Sequence, residues 1–227
     1  VLGVNTLNEH LSYITLRGAR KRDHPQSFSY HEPWWEDYHV MADYFTRVTT
    51  ALTQGEQINR ILVLEPTTTA WMYQGNPKLN AIGETFSVLL KTLETAQVEY
   101  DLGCENTMAD HGSVSGSDLV IGERSYPVVV LPSSVENLDA ATYELLARFV
   151  RAGGTVYRVV QGDTPQWPTS LDGKPSGRVK DLAQSAHWKT VRADEAASVL
   201  RDLDTGEHFN IRRAAGDKGI LFHHRRF

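Results

Sequence analysis

Tyr126-Pro127-Val128-Val129-Val130-Leu131, the segment Leu138 to Arg151, and Gly153-Gly154-Thr155-Val156-Tyr157-Arg158-Val159-Val160 read as strand, helix and strand. The first is a continuous β-branched run ended by Pro132-Ser133-Ser134, as expected of a strand buried on both faces of a parallel sheet. In the second, Leu138, Leu145, Leu146, Phe149 and Val150 fall mainly three and four apart, with Asp139 placed as N-cap. Gly153-Gly154 then stops the helix, because glycine takes the left-handed conformation without Cβ strain. A crossover this short between two buried strands is right-handed and sets them parallel. The fold class is α/β.

Outward from this unit, Arg60 to Glu65 reads as a second buried strand, with Pro66-Thr67-Thr68-Thr69 as the loop leaving it. A helix is expected from Ile82 to Ala96, and a strand from Gln97 to Leu102. Cys104 to Ser117 reads as a Gly/Ser-bearing loop, and Leu119 to Tyr126 as a hairpin arm. The segment from Val160 to Gly177 shows no periodicity and reads as irregular, before a helix from Ala193 to Leu203. His208 to Arg213 and Gly219 to His224 read as two strands. At the other end, Leu2 to Leu7 reads as a strand delivering Asn8-Glu9-His10, followed by a long polar loop from Arg17 to Tyr30. Pro33 opens a helix whose stripe Trp34, Tyr38, Met41, Phe45, Val48 and Leu52 alternates steps of four and three, closed by Gly55.

The 227 residues carry a formal charge of −5 with acids and bases intermixed, so no basic face is laid out for nucleic acid or an anionic membrane. No apolar run reaches the roughly 20 residues of a membrane span, and no signal peptide is evident. The single cysteine, Cys104, excludes an internal disulfide and a cysteine-based zinc cluster. His31-Glu32-Pro33-Trp34 lacks the second histidine of a His-Glu-x-x-His helix, and His223-His224 alternate across a strand, so no metal site is expected. No Walker loop and no Gly-x-Gly-x-x-Gly occurs, so no cofactor is expected. Trp34 is a candidate for stacking on a sugar ring, weighed against ordinary packing.

The order strand, helix, strand with Gly-Gly is similar to that of class I glutamine amidotransferases, whose chemistry needs a cysteine at a strand-to-helix elbow. Cys104, in Leu102-Gly103-Cys104-Glu105, has no such glycine elbow. Gly3-Val4-Asn5 to His10, Arg20-Lys21-Arg22-Asp23-His24-Pro25, Pro33-Trp34-Trp35 and Asp43-Tyr44-Phe45-Thr46-Arg47 resemble the last strand, loop and helix of the (β/α)8 barrel in large bacterial glycoside hydrolases, above all multidomain α-L-rhamnosidases. Ile61 to Val160 is similar to the amidotransferase-like, flavodoxin-like domain that follows that barrel, related to the trimerisation domain of some β-galactosidases. Ile211-Arg212-Arg213 to Leu221-Phe222 resembles the passage into their β-sandwich.

The resemblance implies a barrel end at residues 1–57, a flavodoxin-like three-layer sandwich at 58–205 and the start of a β domain or edge hairpin at 206–227. It implies a fragment of a carbohydrate-degrading enzyme, periplasmic or secreted in its parent, with the rest of the glycosidase as partner and a homo-oligomer left open. Glycosidic hydrolysis uses two carboxyl groups about 5 to 10 Å apart, which the family carries on upstream strands. Glu9, after Asn8, is the one candidate acid, and His10, Asn8 and Trp34 are candidate sugar contacts. The chain alone is then expected to be inactive and its role structural, in subunit contact, or in shaping the substrate site. Two alternatives stand beside it: a sugar- or small-molecule-binding module with a pocket near Glu65 to Thr69 and Pro132 to Ser134, and a hydrolase using Cys104.

Overall fold

The computed structural model describes residues 30–57, 59–203 and 224–227, together with Thr6, Arg17, Gly18 and Gly219. It divides into two compact units, Val1–Ile58 with Phe222–Phe227, and Asn59–Leu221. Expectations for Leu2 to Leu7, the Arg17 to Tyr30 loop and the strands at His208 to His224 fall outside the described residues, apart from isolated positions.

In the first unit, a 3₁₀ turn at Trp35–Asp37 leads into α1, Tyr38–Thr53. Pro33 precedes the helix rather than opening its first turn. Gly55, at φ 63°, ends it: a Cβ there would lie 2.2 Å from the carbonyl of Arg226, which pairs with Glu56 in an antiparallel bridge. Arg225 donates to the Gln54 and Gly55 carbonyls at 2.5 Å, so the turn after α1 is held from two sides.

The second unit begins with β1, Ile61–Leu64, then α2, Thr67–Met72, and α3, Lys78–Thr95. Pro66-Thr67-Thr68-Thr69 is therefore a helix start and not a loop: Thr68 and Thr69 bury their side chains instead of competing for water. β2, Asp101–Gly103, is shorter than the strand expected at Gln97 to Leu102, since Gln97 takes φ 62°. The expected loop after Cys104 is α4, Glu105–His111, and β3, Gly112–Ser115. A seven-residue helix anchored by one buried apolar side chain, Met108, is too short to show a period. β3 joins β4, Asp118–Ile121, and β5, Arg124–Tyr126, in a three-stranded antiparallel arm.

The central crossover has the expected order: β6, Val128–Leu131; β7, a two-residue strand Asn137–Leu138 that takes the first residue from the expected helix; α5, Ala140–Arg151; and β8, Thr155–Val160. Beyond it, β9, Ser170–Leu171, and β10, Lys174–Pro175, pair beside β7. α6, Arg178–Leu182, and β11, Trp188–Arg192, complete the sheet region before α7, Ala196–Leu203.

The main sheet has five strands in the order β11-β8-β6-β1-β2, and every pair is parallel. Numbered among themselves in chain order, these strands run 2-1-3-4-5 from the β2 edge, the flavodoxin-like arrangement. Period-two alternation divides the core in two. Leu62, Leu64, Val129, Leu131 and Val156 pack against Leu145, Leu146 and Phe149 of α5. On the other face Ile61, Val63, Val128, Val130, Tyr157 and Val159 meet Leu89 and Leu93 of α3 and Leu200 of α7. The result is a three-layer α/β/α sandwich.

The two glycines after α5 have different reasons. Gly153 takes φ 100°, whereas a Cβ on Gly154 would lie 1.9 Å from the Phe149 ring. Gly154→Ala is expected to destabilise by about 1–3 kcal/mol through overpacking, and Gly153→Ala by about 1–2 kcal/mol through left-handed strain. Urea unfolding of both variants measures these costs; neutrality of Gly154→Ala would contradict the packing.

Candidate functional site

In a sheet of this order the crevice lies between the carboxyl ends of β1 and β6, where the chain leaves for opposite faces. β1 delivers Glu65-Pro66 and the start of α2; β6 delivers Pro132-Ser133-Ser134. Three sets of hydrogen bonds span this crest. Thr69 Oγ1, wholly buried, accepts the backbone N–H of Glu136 at 2.9 Å and of Asn137 at 3.0 Å, tying α2 to the chain leaving β6. Arg158 projects from the middle of β8, 0% exposed, and donates to the carbonyls of Pro132 at 2.5 Å, Pro165 at 3.2 Å and Ser133 at 3.5 Å. Burial pulls its guanidinium down to about 10, against the opposing field of Glu136, so it stays charged at neutral pH.

The third set is Tyr73, Lys78 and Glu136. Tyr73 donates to Glu136 at 2.7 Å, and Lys78 donates to Glu136 at 2.9 Å and to the Tyr73 oxygen at 3.0 Å. The Glu136 hydrogen bond, with that of Tyr73, raises the Lys78 pKa, so this lysine is a fixed ammonium and a poor base or nucleophile. Beneath, Glu105 at the start of α4 accepts from Thr68 and from the Asp139 amide. Asp139 is the N-cap residue of α5, yet its side chain does not cap; Asp172 Oδ1 takes the Ala140 N–H instead. Asp172 reaches that position with φ 47°.

Cys104 lies at the end of the edge strand β2, extended at φ −93° and ψ 130°, a backbone without the strain of a nucleophile elbow. Among the described residues, no group of three or more His, Cys, Asp or Glu is placed to hold a metal ion, and no helix is long and apolar enough to cross a membrane.

Asn8, Glu9 and His10 lie outside the described residues. Trp34 precedes the 3₁₀ turn, its ring tilted 40° from Tyr38 at 5.9 Å, while Trp35 stacks on Tyr38 at 5.7 Å and 11°. α1 buries none of its residues: Met41 is 42% and Tyr44 62% exposed. A groove of about 380 Å³ runs along it, lined by Tyr38, Met41, Ala42, Phe45 and three threonines. Thr46 and Thr50 donate to the Ala42 and Thr46 carbonyls at 2.7 and 2.8 Å, so the groove offers little free hydrogen-bonding capacity.

Sequence reading missed Arg158 and Glu105, and placed Thr69 only as the end of a loop beside a pocket. Arg158 was visible as a charge inside a strand otherwise read as buried; the bonds of Thr69 and Glu105 carried no signal, because their partners lie 34 to 68 residues away.

The chain matches no family model, and no curated protein matches it. Among solved structures it is similar to rhamnosidase from Novosphingobium sp. PP1Y, with a TM-score of 0.54 and 20% identity over 89% of this chain. The chain covers 19% of the length of that enzyme, and the likeness is one of fold.

Replacing Thr69 by valine keeps the shape but strands two buried amides, for an expected loss of about 2–4 kcal/mol. Thr69→Ser should cost only about 1 kcal/mol for the methyl. Equal losses on urea unfolding would show that the hydroxyl does not tie the crest.

Proposed function

We propose that this chain is a non-catalytic accessory portion of a carbohydrate-degrading glycoside hydrolase, acting in structural support, subunit contact or the shaping of a substrate site. The observation that carries this reading is the crest itself. The crevice where a sheet of this order would seat a ligand is spanned by Thr69, Arg158 and Glu136, each engaged with the chain's own groups. Nothing in that arrangement, among the described residues, pairs an acid with a nucleophile or base left open to a substrate.

The fold likeness to part of a rhamnosidase supports the carbohydrate side of the reading. The exposed apolar faces of α1 support the accessory side: a helix apolar on more than one face is normally enclosed by other elements. On this reading residues 1–57 are the end of a glycosidase barrel, 58–205 the flavodoxin-like domain and 206–227 the start of a β domain or edge hairpin. Trp34, with Asn8 and His10, then borders the sugar site, while the catalytic carboxylates belong to the parent enzyme, and Glu9 is not one of them.

The test is hydrolysis of an aryl glycoside panel, α-L-rhamnoside and β-galactoside included, by the chain alone, with thermal unfolding followed in the presence of rhamnose or galactose. We expect no turnover above buffer and no rise in Tm. Turnover by the chain would overturn the non-catalytic assignment and point to Glu9. A saturable rise in Tm would favour a sugar-binding module.

A further inference from the structure

Glu105 is a carboxyl group 3% exposed at the meeting of three helices. It is the first residue of α4. One oxygen accepts the Thr68 hydroxyl of α2 at 2.5 Å, and the other accepts the N–H of Asp139 at the head of α5 at 2.7 Å. A buried carboxylate in such a position is ordinarily balanced by a cation. Among the described residues none acts on it. α2 contributes no titratable side chain in Thr67–Met72, α5 brings the Asp139 carboxylate, and the other ionisable groups of α4, Asp110 and His111, lie at its far end. Asp139 is itself pressed by burial and by Asp172, so the nearest charge is repulsive.

We propose that Glu105 makes the junction of α2, α4 and α5 an acid-stabilised latch, tight when its carboxyl is protonated and loosened as it ionises. Burial raises the pKa of this carboxyl above the usual 4.5, the field of Asp139 adding to it and the hydrogen bonds from Thr68, the Asp139 amide and the Thr142 hydroxyl of α5 opposing it. In the pH range between the unfolded and folded values the native state holds a proton that the unfolded chain has lost. The stabilisation is thus complete below about pH 4.5 and disappears as pH rises through the folded value. The consequence falls on the crest, because α2 also carries Thr69. This latch does not depend on the accessory reading, and either can fail alone.

The experiment is urea unfolding from about pH 4 to 9 for the wild type, Glu105→Gln and Asp139→Asn. Glutamine can keep both hydrogen bonds, its oxygen accepting from Asp139 and its amide donating to Thr68, so any cost of the swap shifts the whole curve. The slope is the readout. The unfolding constant of the wild type relative to Glu105→Gln should rise with pH, roughly tenfold for each unit separating the two pKa values, and then level off. Asp139→Asn should shrink that rise. Parallel wild-type and Glu105→Gln curves would overturn the proposal. Should Glu105→Gln fail to fold, the ¹³C shift of the Glu105 carboxyl in the wild type decides: a midpoint above 4.5 supports the latch, and one at or below 4.5 overturns it.

Discussion

The central strands of a parallel sheet covered by helices on both faces can bring polar groups to the surface only at their two ends, and the carboxyl end here answers to that constraint. Strands leaving β1 and β6 for opposite faces open a gap whose amides and carbonyls need partners. In many proteins of this topology a ligand supplies them. In this chain Thr69 takes two amides, Arg158 serves three carbonyls, and Glu136 gathers Tyr73 and Lys78. The amino end is fastened similarly, through Asp101, which accepts from Asn59 and Tyr126.

Arg158 shows how much weight one residue carries in that scheme. A charged side chain within a fully buried strand is costly unless each donor direction is used. Its guanidinium reaches carbonyls from both the β6 exit and the loop after β8. The same two segments meet again further along, where β7 pairs with β9, so the arginine reinforces a spacing that backbone pairing also holds.

How far the fold could be read from the sequence depends on the range of the interactions that build it. β1, β6, α5 and β8 were legible because continuous apolar runs and a helical stripe are local signals. β11 was not: only Trp188 and Val191 are buried, and Lys189 and Arg192 mark it as a protected edge strand that resembles a polar segment. α2 and α4 were read as loops because six or seven residues hold less than two turns of pattern, and their anchors, Thr69 and Met108, are placed by tertiary packing. The α1 stripe was legible as periodicity, but which element it faces is not a property of the stripe. The site was the least legible part. Residues near Glu65 to Thr69 and Pro132 to Ser134 were picked out as a pocket, and the structure joins that region through hydrogen bonds that no spacing rule predicts.

The central claim is that the crest between β1 and β6 is closed by the protein's own bonds. Native-state amide hydrogen exchange tests it most directly, at Glu136 and Asn137, which lie between β6 and α5. If Thr69 holds these amides, they should exchange only by the same large-scale opening that releases the amides of β6. Exchange of both at the rates of an open surface loop would show that the crevice stands open, and the accessory reading built on its closure would fall with it.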